Sequence, residues 1–122
     1  MHTLNLCVDN GRDSFEPGEH VEVSASWMLA EAAEAIELRL VWYTRGKGDQ
    51  DVSVVESIRY DQPATSDQRI WSIQLPSAPY SFSGKLISLL WVVEMLVEPG
   101  EESTRYDLQL APRGKEVLLY PS

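Results

Sequence analysis

Few residues in this chain are of the types that most often do chemistry, and they are far apart in the sequence. Two histidines, His2 and His20, and one cysteine, Cys7, are the side chains best suited to bind a transition metal or form a nucleophile–base pair. Their spacing matches no zinc motif, and no catalytic signature surrounds Cys7. Ser81 and Ser83 lie in no Gly-x-Ser-x-Gly elbow. We therefore expect no resident metal, no cofactor and no catalytic residue.

Acidic loop residues offer one alternative, a calcium site. Asp49 and Asp51 lie in one turn, and Glu98, Glu101 and Glu102 surround another. Calcium needs six to eight oxygen ligands, so two aspartates are too few unless the second loop lies at the same end of the fold. A solvated turn is the simpler interpretation, and the structure must decide whether the two loops meet.

The charge of the chain excludes several classes of partner. Nineteen acidic residues against ten basic ones give a net charge of −9. Nucleic acid and acidic membrane surfaces are repelled by such a chain, and no basic stripe offsets the repulsion. Solubility alone explains the excess of acid, with a basic partner as the alternative.

Length and cysteine content favour one cytoplasmic domain. The 122 residues fit a single domain over 1–122. One cysteine permits no internal disulfide, which suits a reducing compartment. The amino-terminal residues lack the basic and apolar segments of a secretory signal, and no apolar run is long enough to span a bilayer. We expect a cytoplasmic domain without membrane insertion.

Apolar and polar residues alternate with a period of two along most of the chain, which is typical of half-buried β-strands. For residues 52–60 the alternation is less regular, and we assign Val52, Val54 and Ile58 to the inward face. Turn residues separate the segments. Seven to eight short strands predict an all-β, two-sheet antiparallel sandwich of immunoglobulin or arrestin type. The predicted strands are 3–9, 20–29, 36–43, 52–60, 69–75, 85–98, 105–110 and an edge strand at 116–120.

Four tryptophans fall in four different strands. Trp27, Trp42 and Trp71 are in phase with the apolar set of their strands, and Trp91 lies in a strand that is apolar on both sides. Core packing is the expected role of all four, with a stacking platform for a ligand as the alternative.

In their order of turn and strand residues, the segments Phe15 to Trp27 and Leu75 to Glu94 resemble the arrestin-like family, which includes bacterial sporulation-control proteins. The first runs from Phe15 through Pro17-Gly18 to Trp27, an aromatic residue and a Pro-Gly turn before an alternating strand. Proline and glycine suit the two central positions of a type II turn. The second runs from Leu75-Pro76 through Phe82 and Gly84 into the long strand. The structural motif residues are Phe15, Pro17, Gly18, Phe82 and Gly84.

The resemblance implies a fold and a scaffolding role, and it implies no catalytic residue. The order of the two segments and the strands between them extend the similarity over most of the chain. Arrestins have two tandem sandwiches, whereas this chain has length for one. The glycine of the family's first strand is replaced, with Ser24 near that place. The switch that needs both arrestin halves, and the recognition of receptors or phosphate, are therefore not carried over.

The long strand carries a second apolar row opposite the row that faces the core. A half-solvated antiparallel strand normally keeps its outer row polar. We therefore expect a protein partner or a second copy of the chain to cover this face, unless a loop or residues 117–120 fold over it. The predicted interaction surface consists of Leu86, Leu90, Val92 and Leu96, enlarged by Val41 and Tyr43 if the two strands share a sheet.

Two classes of function follow from these observations. The first is a non-catalytic protein-interaction or scaffolding domain of arrestin-like fold. The second is a sandwich that binds a small ligand or carbohydrate through exposed aromatic side chains or acidic loops. The first predicts an apolar sheet surface, and the second predicts an aromatic site or a cation.

Overall fold

The computed structural model of the chain describes residues 2–46, 50–77, 79, 81–83, 87–100, 102–110 and 117–118. All regular structure over these residues is β-strand, which confirms the predicted all-β class. Seven strands have six residues or more, and three have two residues. They are β1 (Thr3–Val8), β2 (Ser14–Phe15), β3 (His20–Met28), β4 (Ala35–Gly46), β5 (Val52–Asp61), β6 (Ser66–Gln74), β7 (Phe82–Ser83), β8 (Ile87–Glu98), β9 (Ser103–Leu110) and β10 (Val117–Leu118).

The strands form two sheets. The smaller sheet has the order β1-β3-β6, and all its pairs are antiparallel. The larger sheet has the order β10-β7-β8-β4-β5. Strand β9 also pairs with β8, on the same side as β7 but further along the strand. Strand β2 pairs with the other edge of β9. Only the two-residue strands β2 and β10 make parallel pairs in the described residues. The described part of the carboxyl-terminal segment therefore extends the larger sheet in its plane and does not cover its face.

The core lies between the two sheets and is formed by the predicted inward rows. Strand β3 contributes its alternate residues from Val21 to Trp27, and β8 contributes Leu89 to Val97 on the same phase. Trp91 and Met95 are fully buried. Alternation at a period of two places these side chains on one face of each strand, so two stacked sheets bury both apolar faces.

A type II turn connects β2 to β3 over Glu16–Glu19. The amide of Glu19 donates to the carbonyl oxygen of Glu16 at 3.2 Å, and Gly18 at the third position has a φ of 79°. That φ is the one a type II turn requires, and proline suits the position before it. Phe15, just before the turn, is fully buried in the core, as expected for the aromatic residue of this motif.

The strand boundaries differ from the predicted ones where backbone pairing extends beyond the apolar pattern. Strand β6 begins at Ser66 instead of residue 69, because its polar start pairs with Ser26 to Met28 of β3. The predicted loop before the long strand contains β7, whose Phe82 pairs with Leu89. Gly84 of the second motif lies outside the described residues.

Candidate interaction surface

The two central strands of the larger sheet bring the predicted surface residues together. Strands β4 and β8 are antiparallel neighbours, with Val41 opposite Val92 and Tyr43 opposite Leu90. Directly opposed residues of two paired strands point to the same face, and these four point away from the core. Leu86 lies outside the described residues.

Strand β5 adds two valines that the sequence pattern assigned to the wrong face. Val52 is opposite Tyr43 and Val54 is opposite Val41, so both lie on the outer face of the larger sheet. The register of β4 and β5 shifts between Leu40 and Val41, because Val55 is an extra residue on β5. Such a β-bulge reverses the alternation, and the prediction of Val52 and Val54 as inward residues is therefore wrong.

The result is a continuous apolar surface two rows deep and three strands wide, which we call the apolar block. It contains one row from β5 through β4 to β8, formed by Val52, Tyr43 and Leu90, and a second, adjacent row, formed by Val54, Val41 and Val92.

Exposure divides the apolar block into a floor and a raised edge. The floor is Val41 and Val92, whose exposed fractions are 3% and 1%. The edge on β5 is open, with Val52 at 65% and Val54 at 49% exposure. Tyr43 and Leu90 are half-buried, with exposures between those of the floor and those of the edge. The accessible part of the apolar block therefore consists mainly of the β5 valines, Tyr43 and Leu90, whereas Val41 and Val92 are nearly closed to solvent.

Arg105 of β9 crosses the floor of the apolar block. It lies opposite Glu94 of β8, and its Nη2 donates to the Tyr43 hydroxyl oxygen of β4 at 3.0 Å. The guanidinium carbon is 5.3 Å from the centre of the Tyr43 ring, in the range of a cation–π contact. By register the path from Arg105 to Tyr43 runs diagonally over Val92, so the arginine side chain covers part of this apolar floor.

A charged row separates Leu96 from the apolar block. Arg39 of β4 lies opposite Glu94 of β8, between the Val41–Val92 row and the row of Glu37 and Leu96. Arg39 donates to both carboxylate oxygens of Glu37, at 3.0 and 3.2 Å, and this pairing raises the pKa of the Arg39 guanidinium. Leu96 is therefore on the predicted face but isolated from the other surface residues.

The residues that most often do chemistry remain far apart. Cys7 of β1 pairs with Ser24, four residues along β3 from His20, a separation of about 13 Å. His2 precedes Thr3, which pairs with Met28 at the opposite end of β3 from His20. The Nδ1 atom of His2 accepts a hydrogen bond from the Ala30 amide at 3.1 Å. None of the three side chains is placed to act with another.

The two acidic loops considered for calcium lie at opposite ends of the larger sheet. Asp51 precedes Val52, which pairs with Tyr43, whereas Glu98 pairs with Ala35 at the other end of β4. Eight residues of extended strand separate Tyr43 and Ala35, about 27 Å. The described residues contain no group of three or more metal-binding side chains. The proposed sharing of one cation by the two loops is therefore ruled out for Asp51 and Glu98, since the β-ladder holds their ends apart.

The tryptophans lie on the inward faces of their strands. Trp27, Trp71 and Trp91 are buried, and Trp42 packs against the core while partly buried. The indole N–H of Trp27 donates to the Ala64 carbonyl and that of Trp91 to the Pro79 carbonyl, both at 2.8 Å. Their polar atoms are thus engaged inside the fold, and none of the four forms an exposed stacking platform.

The outer face of the smaller sheet has a different character from the apolar block. Its central strand presents Ser24 and Ser26, flanked by Asn5 of β1 and Gln68 of β6. Its exposed apolar residues, Met28 and Ile70, are scattered singly. Isolated apolar residues of this kind are normal on protein surfaces, and only the larger sheet gathers them into one contiguous patch.

The sequence predicted that Val41 and Tyr43 would enlarge the surface if their strand shared a sheet with the long strand, and the structure shows that it does. The contribution of β5 was missed. One available signal was the adjacent pair Val54 and Val55, which breaks strict alternation. Such a break is a sign that the phase changes within the strand.

Comparison with known proteins gives a result at the level of structure. No protein-family model matches the sequence, and no curated protein matches it. A solved structure that is similar is Spo0M, a sporulation control protein from Bacillus subtilis, with a TM-score of 0.62 and 18% sequence identity. The match covers 89% of this chain and 49% of the Spo0M chain, so this chain spans about half the length of that protein. In the described residues no helix is long and apolar enough to cross a membrane. The two-sheet sandwich and this likeness establish that the chain has the arrestin-like fold.

Proposed function

We propose that this chain is a non-catalytic protein-interaction domain, and that the apolar block is the surface on which a protein partner or a second copy docks. The observation that carries the proposal is the register of β5, β4 and β8, which places six apolar residues in two adjacent rows on an outer face. Contiguous apolar patches of this kind tend to mark interaction sites, because leaving them in water is unfavourable.

Docking on the sheet face is favoured over pairing along the sheet edge. Strand β5 has β4 as its one partner among the described residues, so its other backbone edge is open. The bulge at Val55 distorts that edge, and the exposed charge of Glu56 follows it directly. Bulges and charges on edge strands oppose the addition of a further strand. Neither the bulge nor the charge of Glu56 prevents contact with the apolar side chains on the sheet face.

The arrestin-like fold supports a regulatory or scaffolding role without specifying it. Spo0M is described as a sporulation control protein, and nothing in that description is catalytic. We place the domain in the cytoplasm as part of this proposal, since its lone Cys7 is suited to a reducing compartment. The alternative, a carbohydrate- or small-ligand-binding sandwich, receives no support from the inward tryptophans or from the separated acidic loops.

Two matched double variants test the proposal in the cell from which the chain comes. Val52→Asp with Val54→Asp makes the open edge of the apolar block polar. Met28→Asp with Ile70→Asp makes the same change on the smaller sheet, where the exposed fractions are 63% and 51% against 65% and 49% for the valines. We expect the proteins that co-purify with the wild-type chain to be lost from the first variant and retained by the second. Equal retention by both variants, each folded by circular dichroism, would contradict the proposed surface.

A further inference from the structure

Two arginines on the outer face of the larger sheet lack the close carboxylate partner that the other described arginines have. Arg39, Arg59 and Arg69 each approach a carboxylate oxygen to within 3.0 Å. Arg105 approaches that of Asp107 only to 3.7 Å, and both side chains are more than half exposed. Arg45 makes no ion pair with any residue that the structure describes. Both side chains are exposed, so an external acceptor can reach the two guanidinium groups from solvent.

These two arginines flank the apolar block on opposite sides. Arg45 lies opposite Ser88, in the row next to Tyr43 and Leu90, and alternation along β4 directs it to the same face as Tyr43. Arg105 lies opposite Glu94, in the row next to Val41 and Val92. Six residues along β8 and two strand spacings separate the arginines, so their Cα atoms are about 22 Å apart.

The present partner of Arg105 is a weak one that a carboxylate could replace. The guanidinium donates to a neutral hydroxyl, that of Tyr43, and the hydrogen bond is exposed. A carboxylate carries a full negative charge and can accept two parallel N–H bonds from the guanidinium, which a single neutral hydroxyl cannot. A docked carboxylate would therefore draw Arg105 from Tyr43 and uncover the floor residue Val92 for contact with the partner.

The overall charge makes a second copy a poor occupant of this face. Each chain carries a net charge of −9, so two copies placed face to face repel one another. A short segment that brings only one or two carboxylates meets much less of this repulsion than a second copy does, and it would compete with Glu94 and Asp107 for Arg105.

Resting on the proposed protein-binding role, we propose that the docking segment is apolar at its centre and carries a carboxylate on each side, one bound by Arg105 and the other by Arg45. In an extended segment the two acidic residues would be about six to eight positions apart, which matches the separation of the two arginine Cα atoms and applies once Arg105 has left Tyr43. The apolar residues between them would contact Tyr43, Leu90 and the β5 valines.

Selection from a displayed library of random dodecapeptides tests this proposal on the purified chain. We expect enrichment of sequences with an apolar centre and an Asp or Glu on both sides. A fluorescent peptide of the enriched sequence should lose about tenfold in affinity for Arg105→Gln or for Arg45→Gln, as for the loss of one charge-assisted hydrogen bond. Arg69→Gln on the other sheet is the matched control and should bind unchanged. Tyr43→Phe, which removes the competing hydroxyl, should bind at least as tightly as the wild type.

Three results would overturn the proposal. Enrichment of peptides with basic residues on both sides, or a peptide affinity that neither arginine variant changes, would show that Arg45 and Arg105 do not bind carboxylates. Binding lost in Val52→Asp with Val54→Asp but kept in both arginine variants would retain the proposed function and remove only this inference. Self-association of the wild-type chain through the apolar block, measured by light scattering, would make a second copy the occupant instead.

Discussion

The amide of Gly18 donates a hydrogen bond to the carbonyl oxygen of Pro76 at 3.3 Å. This bond joins the two sequence segments that resemble the arrestin-like family. The amide of Leu75 also donates to the Glu19 carbonyl at 2.8 Å, so the turn before β3 is bound to the end of β6 on both sides. Leu75 and Pro76, which begin the second motif, are therefore held against the Pro-Gly turn of the first at one end of the smaller sheet.

The conformation of Gly18 gives a first prediction. With φ at 79° and open space around an added Cβ, a substituted side chain would strain the backbone without a clash. Gly18→Val should destabilise the fold by about 1–3 kcal/mol. Gly18→Asn should cost less, because asparagine tolerates this region. Urea denaturation of both variants measures the difference, and a valine variant as stable as the wild type would refute the type II turn.

Glu19 gives a second prediction, for acid pH. Hydrogen bonds from Arg12 hold the pKa of Glu19 below its ordinary value of 4.5, and the Glu16 amide adds a further bond at 3.0 Å. The stabilisation is therefore present above pH 4.5 and is lost as pH falls through the lower pKa of the folded state.

The test of this prediction compares the free energy of unfolding of the wild type with that of Glu19→Gln from pH 7 down to acid pH. We expect the wild type to be more stable than Glu19→Gln at pH 7, and this difference in free energy of unfolding to become smaller in acid. Glu56→Gln, at an exposed residue with no ion pair among those described, is the control and should leave the free energy of unfolding at pH 7 nearly unchanged. A gap that stays constant with pH would exclude the ion pair as its cause.

Ser81 joins two parts of the larger sheet through buried hydrogen bonds. Its hydroxyl oxygen accepts from the Leu110 amide at 2.9 Å, and its own amide donates to the Leu110 carbonyl at 2.6 Å. Ser81→Ala leaves the Leu110 amide unsatisfied in a buried position and should cost about 1–3 kcal/mol. Ser77→Ala, at an exposed serine of the same connection, should leave the melting temperature nearly unchanged. Equal effects of the two variants would contradict this role of Ser81.

The apolar block predicts unequal effects for the same substitution within one cross-strand row. Val92 is buried in the floor, so Val92→Ala should cost about 1–3 kcal/mol by removing packed methyl groups. Val54 is half-exposed on the edge strand, and Val54→Ala should change stability by less than about 0.5 kcal/mol. Chemical denaturation of the two variants is the measurement. Similar losses at both positions would mean that Val54 is also buried and that the open edge is absent.

The sequence predicted the paired strands of the core better than the surface that they present. Strand β3 was predicted on the correct phase because its apolar and polar residues alternate strictly. Strand β8 was also predicted on the correct phase, although it is apolar on both faces, because its row from Leu89 to Val97 is unbroken whereas the opposite row contains Ser88 and Glu94. Strand β5 was predicted on the wrong phase at Val52 and Val54. Its bulge depends on pairing with β4, and a half-exposed edge strand imposes little constraint on its residues.

The flanking arginines could not be found from sequence for a related reason. Arg45 and Arg105 are sixty positions apart in the chain, and only the register of β4, β8 and β9 places them around one surface. Which strands pair, and in which register, is a property of the whole sandwich. The arrestin-like resemblance gave the fold but no register for residues outside its two motifs.

Site-specific photo-crosslinking tests most directly whether the apolar block binds a protein. A photoreactive phenylalanine analogue at position 52 samples the block, and the same residue at position 70 samples the other sheet, where Ile70 is similarly exposed. After irradiation in the native cell, we expect a discrete crosslinked protein from position 52 and none from position 70. Crosslinking of the purified chain identifies any adduct that is a second copy. No adduct from position 52, or the same adducts from both positions, would contradict the assignment of this surface.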